Sequence, residues 1–237
     1  MKETLVFVHG MSHGAWCWEE KFIPYFEAKG YTCLAINLPG HEEMGSSKTI
    51  SFGVGDYVQA LGAFVDKLDS PPILIGHSMG GMIVQRYLKT GKAKKAILLS
   101  SVPPSGVLFP SLRTLGRYPG AIPYLLQGNL LKAFRKYAKL FFNDNPLSEV
   151  YKPKLCAESF WAYLGLFIPV RHRIDCPVMV IGGSADGLIS VDEFQQTAKH
   201  YQAPIEIMEG GSHDLMLDEG WEKTAEVMVG WLNSSTL

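Results

Sequence analysis

Ser78 stands in Gly76-His77-Ser78-Met79-Gly80, a Gly-x-Ser-x-Gly pattern with Gly81 directly behind it. A serine hydroxyl is a weak nucleophile at neutral pH and becomes useful only beside a general base. The glycines have a physical reason. A nucleophile displayed on a sharp strand-to-helix turn leaves no room for side chains where the two elements cross. Ile73–Gly76 reads as the strand entering that turn, and Met82, Ile83 and Tyr87 give the helical period leaving it. A helix starting there aims its N-terminal amides at the surroundings of the serine, which favours the negative charge that develops in acyl transfer.

Of the seven histidines, three follow Ser78: His172, His200 and His213. Serine sites on such turns run Ser, then Asp or Glu, then His along the chain. His213 lies in Gly210-Gly211-Ser212-His213-Asp214, after the last predicted strand, where a loop returns to the sheet edge carrying Ser78. His200 falls inside a predicted helix and His172 in a basic stretch, so His213 is the expected proton acceptor. The orienting acid should follow the preceding strand. Asp186 is the first carboxylate after Val178–Gly182 and would fix the imidazole tautomer and stabilise the imidazolium. Asp192 reads as a helix N-terminal residue, and Asp214, adjacent to His213, is expected to point elsewhere. The oxyanion needs two backbone N–H donors: Met79, right after the serine, and Met11, in the loop after the first strand. Gly10 lets that loop approach, and the two methionine side chains would line the pocket.

These residues need elements to hold them. Six apolar runs read as strands buried on both faces: Thr4–His9, Thr32–Asn37, Ile73–Gly76, Ala96–Ser100, Val178–Gly182 and Ile205–Glu209. Helical periods alternate with them near Trp16–Lys29, Asp56–Leu68, Gly80–Thr90, Val191–Tyr201 and Glu219–Leu232. The expected fold class is α/β, a mainly parallel six-stranded sheet flanked by helices. The alternation stops after Ser101 and restarts at Cys176-Pro177. Twelve aromatic residues fall between Pro104 and Val170, with helical periods at Leu125–Leu140 and Glu158–Leu166. A structureless loop of that length is improbable. The stretch 104–170 is therefore read as a helical cap inserted after the fourth predicted strand, on a core formed by 1–103 and 171–237.

Composition narrows the class. At 237 residues, 47% hydrophobic and 19% charged, the chain suits one domain with a full core. A formal net charge of −1 provides no global field for nucleic acid or an anionic membrane. Charge is uneven, however: the cap stretch carries eight Lys or Arg against three Asp or Glu. Arg113, Arg117, Arg171 and Arg173 read as solvated surface before they read as a substrate clamp. Cys17, Cys33, Cys156 and Cys176 form no CxxC pair and are expected to be free thiols. The first apolar run, Leu5 to Val8, is too short for a leader or a membrane span, so a cytoplasmic protein is expected. The expected partner is a small-molecule ester. Neither nucleic acid nor stable membrane insertion is expected, and pairing into a homodimer stays open.

The segment His9-Gly10-Met11-Ser12-His13-Gly14-Ala15-Trp16-Cys17-Trp18, together with the serine turn, resembles the plant methylesterase and hydroxynitrile lyase branch of the α/β hydrolases. The resemblance runs through nearly the whole chain in element order and is weak in the cap. It implies a Ser78–Asp186–His213 triad, oxyanion amides at Met11 and Met79, a capped apolar pocket, and no metal or organic cofactor. Hydroxynitrile lyases of that branch carry a lysine after the catalytic histidine. Asp214 stands there instead, and an acid would repel an anionic leaving group, which argues for the esterase side. The expectation is thus a carboxylesterase for small to medium apolar or aromatic esters. Thioester, amide or carbon–carbon hydrolysis, lyase chemistry, or a small-molecule receptor are the alternatives.

Overall fold

The computed structural model describes residues 3–48, 50–143 and 146–234. Its six strands are β1 (Thr4–Val8), β2 (Thr32–Ile36), β3 (Ile73–His77), β4 (Lys95–Leu99), β5 (Val178–Gly183) and β6 (Ile205–Met208). They form one sheet in the order β2-β1-β3-β4-β5-β6, with every pairing parallel. The α/β expectation holds, with the sheet wholly rather than mainly parallel.

Period-two alternation splits the strand side chains between two cores. Val6, Val8, Leu74, Leu98 and Val180 face one side. Leu5, Phe7, Ile73, Ile75, Ile97, Leu99, Met179 and Ile181 face the other. Two helices cover the second face first: α1 (Trp16–Glu19) and α2 (Phe22–Ala28) supply Trp18, Phe22 and Phe26. The first face is covered by α3 (Val54–Val65) and α4 (Met79–Tyr87). Burying one such side chain contributes about 1.5–3 kcal/mol, so both faces must be covered for the strands to remain apolar. The edge strands depart from that rule. Positions along β2 and β6 alternate with exposed or half-buried ones, because each has a neighbour on one side only.

Between β4 and β5 the described chain forms α5 (Leu108–Arg117), α6 (Ile122–Leu126), α7 (Leu130–Lys136), α8 (Lys139–Phe142), α9 (Leu147–Tyr151) and α10 (Phe160–Gly165). The segment contributes to both cores, through Leu130, Ala162 and Leu166 on one side and Phe141, Phe142 and Tyr151 on the other. After β5, α11 (Val191–Tyr201) packs on the first face and α12 (Trp221–Asn233) on the second.

Two predicted helices are broken, for local reasons. The continuous helix over Trp16–Lys29 divides at Glu20-Lys21. A single helix would put Pro24 in its interior, where the ring lacks a donor and clashes with the carbonyl four residues back. In the structure Pro24 falls in the first turn of α2, where no donor is needed. The period at Leu125–Leu140 is interrupted by Gly128, at φ +65°, and by Asn129, whose side chain accepts Lys132 N–H at 3.1 Å and starts α7. The period at Glu158–Leu166 starts two residues late. Ser159 caps α10, leaving Glu158 outside the helix.

Candidate active site

The serine turn joins β3 to α4. Ser78 has φ 53° and ψ −118°, a region that non-glycine residues avoid at a cost of about 1–3 kcal/mol. Surrounding bonds hold it there. Ser78 N donates to Leu99 O at 3.1 Å, and its carbonyl accepts Gly81, Met82 and Val102 amides at 3.0, 3.3 and 3.1 Å. A Cβ at Gly76 would lie 2.6 Å from Gly80 O, and one at Gly80 would collide with the Val8 and His9 carbonyls. The crossing of strand and helix therefore admits only glycine. The loop after β1 presses on the same spot: a Cβ at Gly10 would sit 2.9 Å from Ser78 Cβ.

Asp186, in the turn after β5, accepts Leu188 and Ile189 amides on Oδ1 at 2.8 and 2.9 Å. Its other oxygen accepts His213 Nδ1–H at 2.7 Å. The far nitrogen, His213 Nε2, is buried and has no hydrogen-bond partner among the described residues. The loop after β6 that carries His213 is tied to the serine turn. His77, the neighbour of Ser78, donates Nε2–H to the His213 carbonyl at 3.1 Å, and the two rings are 4.9 Å apart. A second tie runs within the loop, where Ser212 donates N–H and O–H to Asp218 at 2.7 and 2.6 Å.

Burial works to lower the His213 pKa, but the ion pair and hydrogen bond with Asp186, aided by Asp214 and Asp218, win and hold it above 6.5. Burial lowers the His77 pKa, Asp214 offsets only part of this, and the neighbouring His213 and His13 rings lower it further, so it falls to about 3 and His77 stays neutral. Two neighbouring imidazoles therefore differ in charge response because only one has a dedicated carboxylate.

Met79 is the first residue of α4, where N–H groups have no intrahelical acceptor. In the loop after β1 the backbone bond runs from His13 N to Gly10 O at 3.4 Å, leaving Met11 N–H without an acceptor among the described residues. Met11 lines the chamber above Ser78, whereas the Met79 side chain is packed in the first core and not in the chamber wall.

That chamber, open on one side, has a volume of about 110 Å³ and is lined by Ser78, Met11, Leu130, Phe141, Leu166 and other residues that are mostly apolar, with no charged side chain among them. The predicted surface arginine Arg113 points away from it and grips Glu193 in α11 at 2.8 and 3.1 Å and Leu188 O at 2.6 Å. Asp214 also turns away. It is fully buried, 2.9 Å from His13 Nε2 and 3.3 Å from His77 Nε2. This corrects the leaving-group argument made from sequence: Asp214 presents no charge to the chamber, and the position supplies neither a lysine nor a repelling acid.

Three residues escaped the sequence reading. His13 donates Nδ1–H to Met11 O at 2.7 Å and Nε2–H to Asp214 at 2.9 Å. Glu158, just before α10, is a buried carboxylate with four donors around it. Ser12 adopts φ 60° between these two groups. The available signals were the His9/His13 spacing and one of only three acids in a basic, apolar stretch. Among the described residues, His77, His213 and Asp214 bring ligand-type atoms within 4.8 Å of one another. A cation there would take the His213 Nε2 lone pair or break its bond to Asp186, so it would compete with proton transfer.

An all-parallel sheet flanked by helices, with a strained serine between strand and helix and an acid–histidine pair in the loops beyond, defines the α/β class of hydrolases. The chain belongs to the alpha/beta hydrolase family, whose sequence pattern matches residues 5–227. It is 36% identical over 118 residues to a pFDCC methylesterase of Arabidopsis thaliana, covering 46% of this chain and 44% of that protein. It is 31% identical over 157 residues to a non-heme chloroperoxidase of Burkholderia pyrrocinia, covering 63% and 53%. The matches thus span about half the length of these curated relatives, and further plant methylesterases are among them, as the opening segment led one to expect. A solved lipase-esterase related protein from Clostridium acetobutylicum superposes with a TM-score of 0.75 at 24% identity, over 96% of this chain and 93% of that one, which shows a shared fold. Among the described residues no helix is long and apolar enough to cross a membrane.

Proposed function

We propose that this hydrolase is a serine carboxylesterase with Ser78 as nucleophile, His213 as general base and acid, and Asp186 as the orienting carboxylate. The observation that carries the reading is the Asp186–His213 bond of 2.7 Å, which protonates Nδ1 and leaves Nε2 with a free lone pair in the loop bonded to the serine turn. His213 Nε2 takes the proton of Ser78 Oγ as that oxygen attacks the ester carbonyl. The Met11 and Met79 N–H groups receive the oxyanion. His213 then protonates the departing alcohol, and water, activated by the same nitrogen, releases the acid and restores Ser78.

The stretch 104–170 acts as a cap over a core of 1–103 and 171–237, and its apolar inner wall forms the acyl pocket. The chamber, about 110 Å³ and open on one side, has room for a short apolar acyl group, and a free carboxylate on that group would find no cation. The fold alone leaves the reaction open, as the methylesterase and chloroperoxidase names of the relatives illustrate. All four cysteines are free, which supports a reducing compartment, the cytoplasm.

The test is a series of p-nitrophenyl esters from acetate to octanoate on wild type and Ser78→Ala, with fluorophosphonate labelling of Ser78. Turnover should require Ser78 and peak at two to four acyl carbons. Wild-type rates equal to those of Ser78→Ala, with Ser78 unlabelled, would end the esterase reading.

A further inference from the structure

The Met11–Ser12 peptide is engaged on both edges by groups that lead to buried carboxylates. On its carbonyl edge, Met11 O accepts His13 Nδ1–H at 2.7 Å, and His13 Nε2–H reaches Asp214 at 2.9 Å. On its amide edge, Ser12 N–H donates to Glu158 Oε2 at 3.1 Å. A peptide group is a rigid plane, so pinning both edges removes its rotation. The plane directly follows the Met11 N–H, and fixing it restricts the Met11 dihedrals that aim that group.

Both carboxylates are buried and tied into wider networks. Glu158 is saturated: Oε2 also accepts His41 Nε2–H at 3.1 Å, and Oε1 accepts Tyr57 O–H at 3.1 Å and Ser159 N–H at 2.7 Å. Its donors come from the loop after β1, the loop after β2, α3 and the start of α10. The chain around it runs alongside the loop. Cys156 N–H donates to Ser12 O at 2.9 Å and Cys156 Sγ to His13 O at 3.3 Å. Asp214 is fully buried, and neither acid lines the chamber. Both His13 nitrogens are engaged, Nδ1 by the Met11 carbonyl and Nε2 by the Asp214 carboxylate, so neither is left free to take a proton in the chamber. His13 holds the loop and transfers nothing.

We propose that Glu158 and Asp214 are positioning residues that hold the Met11–Ser12 plane from opposite edges and thereby aim the oxyanion amide. The inference rests on Met11 N–H being an oxyanion donor, as in the esterase reading above. It also gives the β4–β5 segment a second role. The chamber roof and the oxyanion loop share Glu158, so a displaced segment would lose the amide geometry together with the acyl pocket.

The test compares Glu158→Gln with wild type using p-nitrophenyl butyrate and an alkyl trifluoromethyl ketone, which forms a tetrahedral oxyanion adduct with an active serine. Removing an oxyanion donor outright costs on the order of 10²–10³ in turnover. A donor left in place but loosely aimed should lose part of that. The expected result is a kcat about ten- to a hundredfold lower, KM within threefold, and ketone affinity falling in parallel with kcat. Tyr57→Phe, which removes a donor from the other oxygen only, should change kcat less than threefold. If Glu158→Gln does not fold, Asp214→Asn tests the same plane through His13 and should show the same signature. A folded Glu158→Gln with kcat and ketone affinity within twofold of wild type overturns this inference alone. Wild type without Ser78-dependent turnover overturns the esterase reading and this inference together.

Discussion

Asp186 with His213 and Asp214 with His13 are two acid–histidine pairs in one region of the molecule, both with buried side chains and both closer than 3 Å. They differ in the second nitrogen of the imidazole. His213 spends Nδ1 on its acid and keeps Nε2 free. His13 spends Nε2 on its acid and Nδ1 on the Met11 carbonyl. An imidazole with a lone pair can accept a proton, whereas one donating from both nitrogens cannot. Residue type and proximity to an acid therefore do not separate a proton-transferring histidine from a structural one; the free nitrogen does.

The largest effect should come from removing each ring. His213→Ala is expected to lower kcat on the order of 10⁴-fold or more, while His13→Ala should lose about ten- to a hundredfold through a loosened oxyanion loop. Steady-state kinetics on a short-chain ester would measure both, and equal losses would erase the distinction. Replacing the acids comes next. Asp186→Asn should reduce kcat on the order of 10³–10⁴-fold by favouring the wrong tautomer, well beyond the loss in Asp214→Asn.

Stability should rank the acids in reverse. Asp214→Asn takes a fully buried carboxylate away from both His13 and His77, at a cost of about 1.5–3 kcal/mol. Asp186→Asn keeps an oxygen for the Leu188 and Ile189 amides and should cost less. Urea unfolding at pH 8 would read both. The pH dependence has opposite signs. Burial opposes ionisation of Asp214, but His13, His77 and His213 hold its pKa below 3.8. Its stabilisation is therefore present above pH 3.8 and lost as pH falls through the folded value. His213, with its pKa raised, contributes stability below pH 6.5 that is lost as pH rises through the folded value.

In the proposed mechanism the same raised pKa sets the acidic limb of activity. His213 must be neutral to accept a proton, so kcat/KM should fall on the acid side with an apparent pKa above 6.5. Asp186→Asn should move that limb to lower pH, and Asp214→Asn should move it less. The smallest effect is expected at Arg113, whose half-exposed guanidinium ties α5 to Glu193. Arg113→Ala should cost no more than about 1 kcal/mol of stability and leave the acidic limb unmoved.

Much of this arrangement was legible in one dimension. Strands such as Ile73–His77 are short apolar runs because both faces of an interior strand are covered. A Gly-x-Ser-x-Gly turn then needs no tertiary information to be located. Ser78, Asp186 and His213 follow β3, β5 and β6, and all parallel strands end at one sheet edge. Helix limits were harder. Pro24 and Gly128 break periodicities that continue through them, since apolar spacing reports the face a residue would occupy and not whether the backbone can continue.

What the amino-acid sequence determined by itself was the sheet, the serine turn and the short set of candidate residues around it, because these depend on local patterning and strand order. Tertiary structure alone decided which nitrogen of each histidine is free, that Asp214 faces His13 and not the chamber, and that Glu158 meets Ser12 from 146 residues away. Those are outcomes of desolvation. A buried charge must find its donors wherever the packed chain brings them, and sequence spacing carries no record of that meeting.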